Sequence, residues 1–304
     1  MTSLTISPTD LQGINDQVVI VTGASSGIGL ATVQLLLRHG AKVFASDLND
    51  MPLPEATQVS FMKVDVTSWD QQLAMFKAAV RAYGAVHHVF GNAGITMSNT
   101  LLEDTVDEHG DPVPPSLKTI DVNVIGILYT VKLGTHYIRQ SGEGGSIVLT
   151  ASESSFSRFQ ATDYTVSKHG VLGLLRALTT NLQPSTSTST STPRIRINAI
   201  APGWTATGIL PSLVLDTLGP GAYQTPDVVA RSVVLLMADK QRHGQMVYSN
   251  KGSYYEIEDG ERGFIQHGRE ILGEHYGDAI EGLRRIRERM EEAKVREEGG
   301  RGGE

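Results

Sequence analysis

Short apolar runs alternate with longer amphipathic stretches between residues 17 and 250. "QVVIVTG" (17–23) is β-branched, ends in glycine and reads as a strand buried on both faces. Ile28, Leu30, Ala31, Val33, Leu35, Leu36 and Leu37 then recur at helical spacing until "HG" at 39–40. Further strands are predicted at 42–47, 59–66, 86–94, 145–152, 194–203 and 245–250, and helices at 69–84, about 117–139, 162–182 and near 226–238. This alternation predicts an α/β fold. Its core is a doubly wound parallel sheet of the Rossmann type, with about seven strands, helices on both faces and a single domain.

Three stretches depart from that rhythm. Residues 1–14 read as an N-terminal arm before the Rossmann-type domain at 15–259. "PSTSTSTSTP" (184–193) is a low-complexity tract that cannot bury a core, so it is expected to be a flexible surface loop. Residues 260–304 form a charged helical extension with an apolar stripe at Ile280, Leu283, Ile286, Met290 and Ala293. The stripe is expected to dock on its own subunit or a neighbour, and "GGRGGE" (299–304) to be a disordered end.

Composition narrows the function classes. There are no cysteines, which excludes disulfides, thiolate metal sites and cysteine nucleophiles. The net charge is −7 with no basic block in the first 260 residues, so no nucleic-acid partner is expected. No apolar run reaches the roughly 20 residues of a membrane span, and the N-terminus lacks a secretory leader pattern. A cytoplasmic location is therefore expected. The 32 glycines point to tight turns or close backbone approach to a ligand.

"TGASSGIG" (22–29) lies where the first strand meets the first helix. Gly23 permits the turn, Gly27 lets backbone approach a pyrophosphate, and Gly29 lets helix and strand pack closely. Asp47 closes the second strand, where a carboxylate can accept hydrogen bonds from both ribose hydroxyls and repels a 2′-phosphate. Its sequence neighbours Leu48 and Asn49 are neutral, so the expected cofactor is NAD. In "DYTVSKHG" (163–170), Tyr164 and Lys168 stand four residues apart, on one face of a helix. A pair of this kind alone is a weak signal.

The motifs together are specific. "TGASSGIG", "VDV" (64–66), "NAG" (92–94), "DVNVIG" (121–126), the Ser152 region, "YTVSK" (164–168) and "INAIAPGWTAT" (197–207) occur in an order and spacing that resemble the short-chain dehydrogenase/reductase family. The resemblance covers about residues 15–255. The texture of 101–117 and 169–178 is similar to fungal members of natural-product pathways. The resemblance implies a catalytic set of Asn123, Ser152, Tyr164 and Lys168. It implies cofactor contacts from Gly23, Ser25, Ser26, Gly27, Ile28, Gly29, Asp47, Asp65, Val66, Asn92, Ala93, Gly94, Tyr164, Lys168, Pro202, Gly203, Thr205 and Thr207. Asp65 would meet the adenine amino group, Asn92 would hold the strand beneath the nicotinamide ribose, and Thr205 and Thr207 would meet the carboxamide. The interval from Ser152 to Tyr164 is 12 residues, one shorter than the family's usual interval. Ser154 and Ser155 are alternatives to Ser152, which is favoured because it follows Gly145 by seven residues, at the strand end.

A free phenol has a pKa of about 10, and bringing it to about 7 takes roughly 4 kcal/mol of differential stabilisation. Lys168 and the nicotinamide charge would supply that. Tyr164 would then take a proton from the substrate alcohol, Ser152 would hold the substrate oxygen and Asn123 would position a water. The implied activity is NAD-dependent oxidation of a secondary alcohol on a bulky apolar small molecule. NADPH-dependent ketone reduction and a catalytically silent dinucleotide-binding protein are the alternatives. Phe159 and Trp204 are expected to line the substrate pocket beneath a lid at 204–225. Glu153 reads equally as a substrate contact and as a solvated loop acid. His169 is expected to pack. His87 and His88 lie in a buried strand without metal-ligand spacing, and no metal is expected. Family members of this size are commonly homodimers or homotetramers, and the same is expected here.

Overall fold

The computed structural model describes residues 2–98, 100–182 and 194–301. Its sheet has nine strands in the order β1-β9-β8-β7-β6-β5-β2-β3-β4. The strands are β1 (Thr2–Leu4), β2 (Val18–Thr22), β3 (Lys42–Asp47), β4 (Ser60–Lys63), β5 (His88–Gly91), β6 (Gly145–Thr150), β7 (Ile195–Pro202), β8 (Met246–Asn250) and β9 (Ser253–Glu256). β2 to β8 pair in parallel and correspond to the seven expected strands. Every residue of β2 and β7 is buried, as β-branched runs covered on both faces should be.

The count of about seven is corrected to nine. β9 turns back antiparallel on β8 through Lys251 (φ 51°) and Gly252 (φ 83°), a two-residue hairpin with both central residues in the left-handed region. The N-terminal arm then supplies β1, which pairs antiparallel with β9. The arm is thus part of the sheet. The run predicted as a strand over 59–66 is shorter, because Val64 to Val66 leave the sheet after Lys63.

One face is covered by α1 (Gly27–Arg38), α7 (Pro226–Ala238) and a 3₁₀ segment over Pro8–Ile14. Val33, Leu36, Val233 and Val234 fill that core. The other face carries α2 (Trp69–Tyr83), α4 (Gly126–Ser141) and α5 (Thr162–Asn181), packed through Met75, Phe76, Ile138 and Leu175. α4 is preceded by a short helix, α3 (Lys118–Ile120), and a widened π-type turn over Asp121–Ile125. His87 accepts the Val18 N–H through Nδ1 at 2.9 Å, and His88 Nδ1 lies 2.8 Å from Ser146 Oγ. Burial pushes the His88 imidazole down to about 3, so it stays neutral as a strand-to-strand linker.

α6 (Ser212–Leu218) lies in the expected lid, and α8 (Phe264–Leu272) and α9 (Asp278–Arg301) follow the sheet. α9 is helical through Arg301, and residues 302–304 of the expected disordered end lie outside the described residues. The Ser/Thr tract at 184–193 lies outside the described residues. Ile280, Leu283, Ile286 and Met290 are 53–66% exposed, so of the two expected docking places, its own subunit or a neighbour, the first does not cover the stripe. Arg284 pairs with Glu281 and Glu288, and Arg285 with Glu281, which supports the helix locally. Arg287 Nη2 reaches Asn181 Oδ1 at 2.9 Å, joining α9 to the end of α5.

The start of the extension is fastened by two buried carboxylates. Glu256 accepts N–H groups from Glu258 (2.8 Å), Asp259 (3.1 Å) and Gly260 (2.5 Å). Glu258, 2% exposed, receives both Nε and Nη2 of Arg176. Glu256→Ala would take the acceptor from four backbone donors, those of Glu258, Asp259 and Gly260 and the Met246 N–H (3.4 Å), and is expected to destabilise the protein by on the order of 3 kcal/mol in urea unfolding. A loss under about 0.5 kcal/mol would show that water replaces the carboxylate without penalty.

Candidate active site

The C-terminal ends of the parallel strands open into a cleft of about 600 Å³. It begins where the chain order reverses between β3, β2 and β5, the place where doubly wound sheets receive ligands. Its floor is the glycine-rich turn. Gly23 (φ 66°) and Gly27 (φ 52°) hold conformations that side chains disfavour. A Cβ on Gly29 would lie 1.9 Å from the Gly23 carbonyl oxygen, so α1 packs against the turn only with glycine there. Ser26 caps α1 without using its side chain on the helix. The α1 N-terminus and this bare turn form a cradle of the size and polarity that a dinucleotide pyrophosphate fits.

Asn92 ties the strand ends together. Its Nδ2 donates to the carbonyls of Thr22 (3.0 Å) and Gly23 (3.1 Å), and its Oδ1 accepts from Thr150 Oγ1 (3.2 Å). Thr22 Oγ1 accepts the N–H groups of Asn92 and Ala93. Asp47 stands at the edge of the cleft. Its Oδ2 accepts the Ser25 N–H (3.0 Å), its Oδ1 accepts the Asn49 N–H (3.0 Å), and Ser25 Oγ donates to the Asn49 carbonyl. Asp65 and Val66 also line this half, with Asp65 Oδ1 bound to both Thr67 N–H and Thr67 Oγ1. The adjacent strand places Lys63 opposite Asp47, with its ammonium 3.0 Å from Asp50. Sequence adjacency missed this cation, because only strand pairing brings position 63 beside position 47.

Ser152 follows β6 and caps a 3₁₀ turn over Glu153–Ser155. It lines the cleft, whereas the Ser155 hydroxyl donates to the Lys168 carbonyl (2.8 Å) and Ser154 is buried away from solvent. Tyr164 and Lys168 project from α5 into the cleft, the ammonium 5.5 Å from the tyrosine ring centroid. Lys168 is 4% exposed and donates to the Thr150 carbonyl at 2.8 Å. Burial pushes its ammonium down to about 8. Burial also raises the Tyr164 phenol, and the Ser152 hydrogen bond opposes that rise. In the protein by itself the phenol is thus raised, because desolvation of the phenolate outweighs its polar contacts; the expected lowering counts the nicotinamide charge as well.

Asn123 sits in the π-type turn, fully buried. Its Oδ1 accepts the Ile95 N–H (2.8 Å), and its Nδ2 donates to the Ile95 carbonyl (3.0 Å) and to Ser167 Oγ (3.1 Å). Both amide hydrogens are thus committed to the protein. The side chain clamps the loop after β5, and only the second lone pair of Oδ1 is left for a water. Asp163 does the same from α5, and the sequence reading missed it. It accepts the N–H (2.9 Å) and Oγ (2.6 Å) of Ser98 and the Tyr164 N–H (2.9 Å). Burial pushes its carboxyl up, but the hydrogen bonds from Ser98, Thr119 and Tyr164 outweigh burial and hold it below the usual range. Its place in the first helical turn beside Tyr164 was the available signal.

The other half of the cleft is apolar. Phe159 and Trp204 meet at 5.5 Å between ring centroids, with Ile95, Met97, Ile209 and Val214 nearby. Pro202, Gly203, Thr205 and Thr207 line the boundary between the halves, and Thr207 lies against Gly27. Gln224 fixes the base of the lid by donating to Ser249 and Thr205. His169 does not pack as expected. It is exposed, with Nδ1 2.9 Å from the Thr165 carbonyl of its own helix. Among the described residues no group of three or more His, Asp or Glu side chains could hold a metal.

Residues 17–217 match the family profile described as short chain dehydrogenase. The chain is 43% identical over 267 residues to the short-chain dehydrogenase/reductase ascJ of Acremonium egyptiacum, covering 85% of this chain and 86% of that one. It is 35% identical over 294 residues to the short-chain dehydrogenase/reductase prx4 of Penicillium rubens, covering 94% and 84%. Among solved structures it resembles the ligand-free aldohexose dehydrogenase of Thermoplasma acidophilum, with a TM-score of 0.65, 25% identity and coverage of 79% and 95%. Levodione reductase gives a TM-score of 0.64 at 25% identity, with coverage of 79% and 98%.

The burial of Tyr164 has a direct spectroscopic consequence. In the protein alone, its ionisation is expected above the ordinary phenol value of about 10, read as the 295 nm titration difference between wild type and Tyr164→Phe. Ser152→Ala is expected to move it higher still, since the hydroxyl favours the phenolate. A midpoint below 10 would mean that the lysine charge outweighs desolvation.

Proposed function

This chain belongs to the short-chain dehydrogenase/reductase family, and on that premise we propose that it oxidises a secondary alcohol of a bulky apolar molecule to a ketone with NAD. The observation that carries the reading is the convergence of Ser152, Tyr164 and Lys168 where the dinucleotide half of the cleft meets its apolar half. The bound nicotinamide dinucleotide supplies the hydride acceptor and a positive ring. Ser152 holds the reacting oxygen, and Tyr164 removes its proton as the carbon is oxidised. Lys168 binds the ribose hydroxyls and favours phenolate through its charge. Its buried ammonium keeps that charge below about pH 8. Asn123 and Asp163 hold the loop that forms the near wall.

The Asp47 carboxylate at the ribose end supports NAD over NADP. Lys63, opposite it on β4, favours a second reading in which the protein reduces a ketone with NADPH. The apolar wall and the fungal relatives support a natural-product-like substrate. A cytoplasmic location, where dinucleotides are abundant, goes with this reading. We also propose a homo-oligomer, supported by the exposed stripe of α9.

Tighter binding of NADH than NADPH, followed by nicotinamide fluorescence, is the expected outcome, and the reverse order would select the second reading. Asp47→Ala should reduce that preference by about 1–3 kcal/mol. Tyr164→Phe should bind cofactor normally and lose nearly all turnover. Retention of a tenth of wild-type activity would refute the assigned base. Truncation after Gly277 should lower the mass measured by light scattering while leaving the subunit's thermal stability nearly unchanged. An unchanged mass would remove α9 from any interface.

A further inference from the structure

The apolar half of the cleft contains one acid. Glu153 directly follows Ser152, opens the 3₁₀ turn and lines the cavity. The remaining acids of the lining, Asp47 and Asp65, belong to the dinucleotide half, and the lining lysine Lys118 is exposed. The Glu153 carboxylate lies beside the Gly203 turn, with Oε2 3.3 Å from the position a Cβ on Gly203 would take.

The Tyr248 hydroxyl lies close enough to this carboxylate for the two to act on each other, with Asn250 beside the same hydroxyl. Burial first, then the Glu153 charge, holds the Tyr248 phenol above its ordinary value. Tyr248 is itself wedged between Phe156 (5.9 Å between centroids) and Tyr255 (6.3 Å). Glu153 is therefore an acceptor in the cleft lining, flanked by Tyr248 and the Gly203 turn and next in the chain to Ser152.

We propose that Glu153 is a specificity residue that accepts a hydrogen bond from a second hydroxyl on the substrate. The substrate is then an apolar molecule bearing at least two hydroxyls, one that reacts at Ser152 and Tyr164 and one that faces the Gly203 turn. Binding an apolar body expels the water that solvates this carboxylate. A ligand without a donor there leaves a charged acceptor unpaired, which is costlier than losing a neutral hydrogen bond. A site built to bind a hydroxyl discriminates strongly against the analogue lacking it. A carboxylic acid at the same point is repelled.

This inference rests on the reading of the cleft as an alcohol or ketone site, and the test separates the two. Affinities of 2-decalol and of a set of decalin diols, each adding one hydroxyl at a different ring carbon, are measured by calorimetry on the protein saturated with its preferred reduced dinucleotide. In that state the alcohols bind but cannot be oxidised. At least one diol is expected to bind the wild type about 10-fold more tightly than 2-decalol. The ratio should fall several-fold in Glu153→Gln, which keeps the shape and an acceptor for Tyr248, and to about one in Glu153→Leu. A hydroxydecalin carboxylic acid should bind Glu153→Gln more tightly than the wild type. The inference is overturned if no diol is preferred by the wild type, or if the preference survives Glu153→Leu. Turnover is read separately with oxidised dinucleotide. Its absence with both NAD and NADP, alongside Glu153-dependent binding, would overturn the oxidoreductase reading and leave the hydroxyl site standing.

Discussion

A buried ammonium must be held by oxygen, and the way Lys168 meets that requirement organises the cleft. Its Nζ donates to the Thr150 carbonyl at the end of β6. The Thr150 hydroxyl donates to Asn92, and Asn92 donates to the carbonyls of Thr22 and Gly23. One polar chain thus runs from α5 across three strand ends to the glycine-rich turn. It places the Tyr164–Lys168 pair and the glycine-rich turn in one frame, so neither can shift without breaking hydrogen bonds in a poorly solvated region.

A second set of constraints shapes the substrate side. Asn123 and Asp163 reach the loop after β5 from two different helices and satisfy its backbone at Ile95 and Ser98. That loop carries apolar side chains into the cleft, opposite Trp204 and the lid. The same wall that excludes water also raises the cost of every charge inside it. Tyr164 and Lys168 consequently shift in opposite directions, both toward their neutral forms.

Much of this was legible in the chain itself. The seven parallel strands follow from apolar runs of strand length separated by helical periodicity, a pattern that depends only on which faces are buried. The hairpin to β9 was missed because its signal, Lys251-Gly252, is two residues long and β9 has four. β1 was missed because a three-residue edge strand carries no periodicity. The stripe on α9 is a true helical pattern, yet periodicity records only that a face is apolar and not what covers it.

Asn123, Ser152, Tyr164 and Lys168, and the glycines of the turn, were singled out in the sequence by the order and spacing of motifs that resemble one family, and the structure brings Ser152, Tyr164, Lys168, Gly23 and Gly27 to one cleft. What each side chain touches was decided by tertiary structure. Asn123 spends its amide on Ile95 and Ser167, Asp163 anchors Ser98, Lys63 stands beside Asp47, and Glu153 meets Tyr248 from more than 90 residues away along the chain. Hydrogen bonds and desolvation act through space between strands and helices remote in sequence, so the chain alone offers candidate residues and the fold sets their charge and their partners.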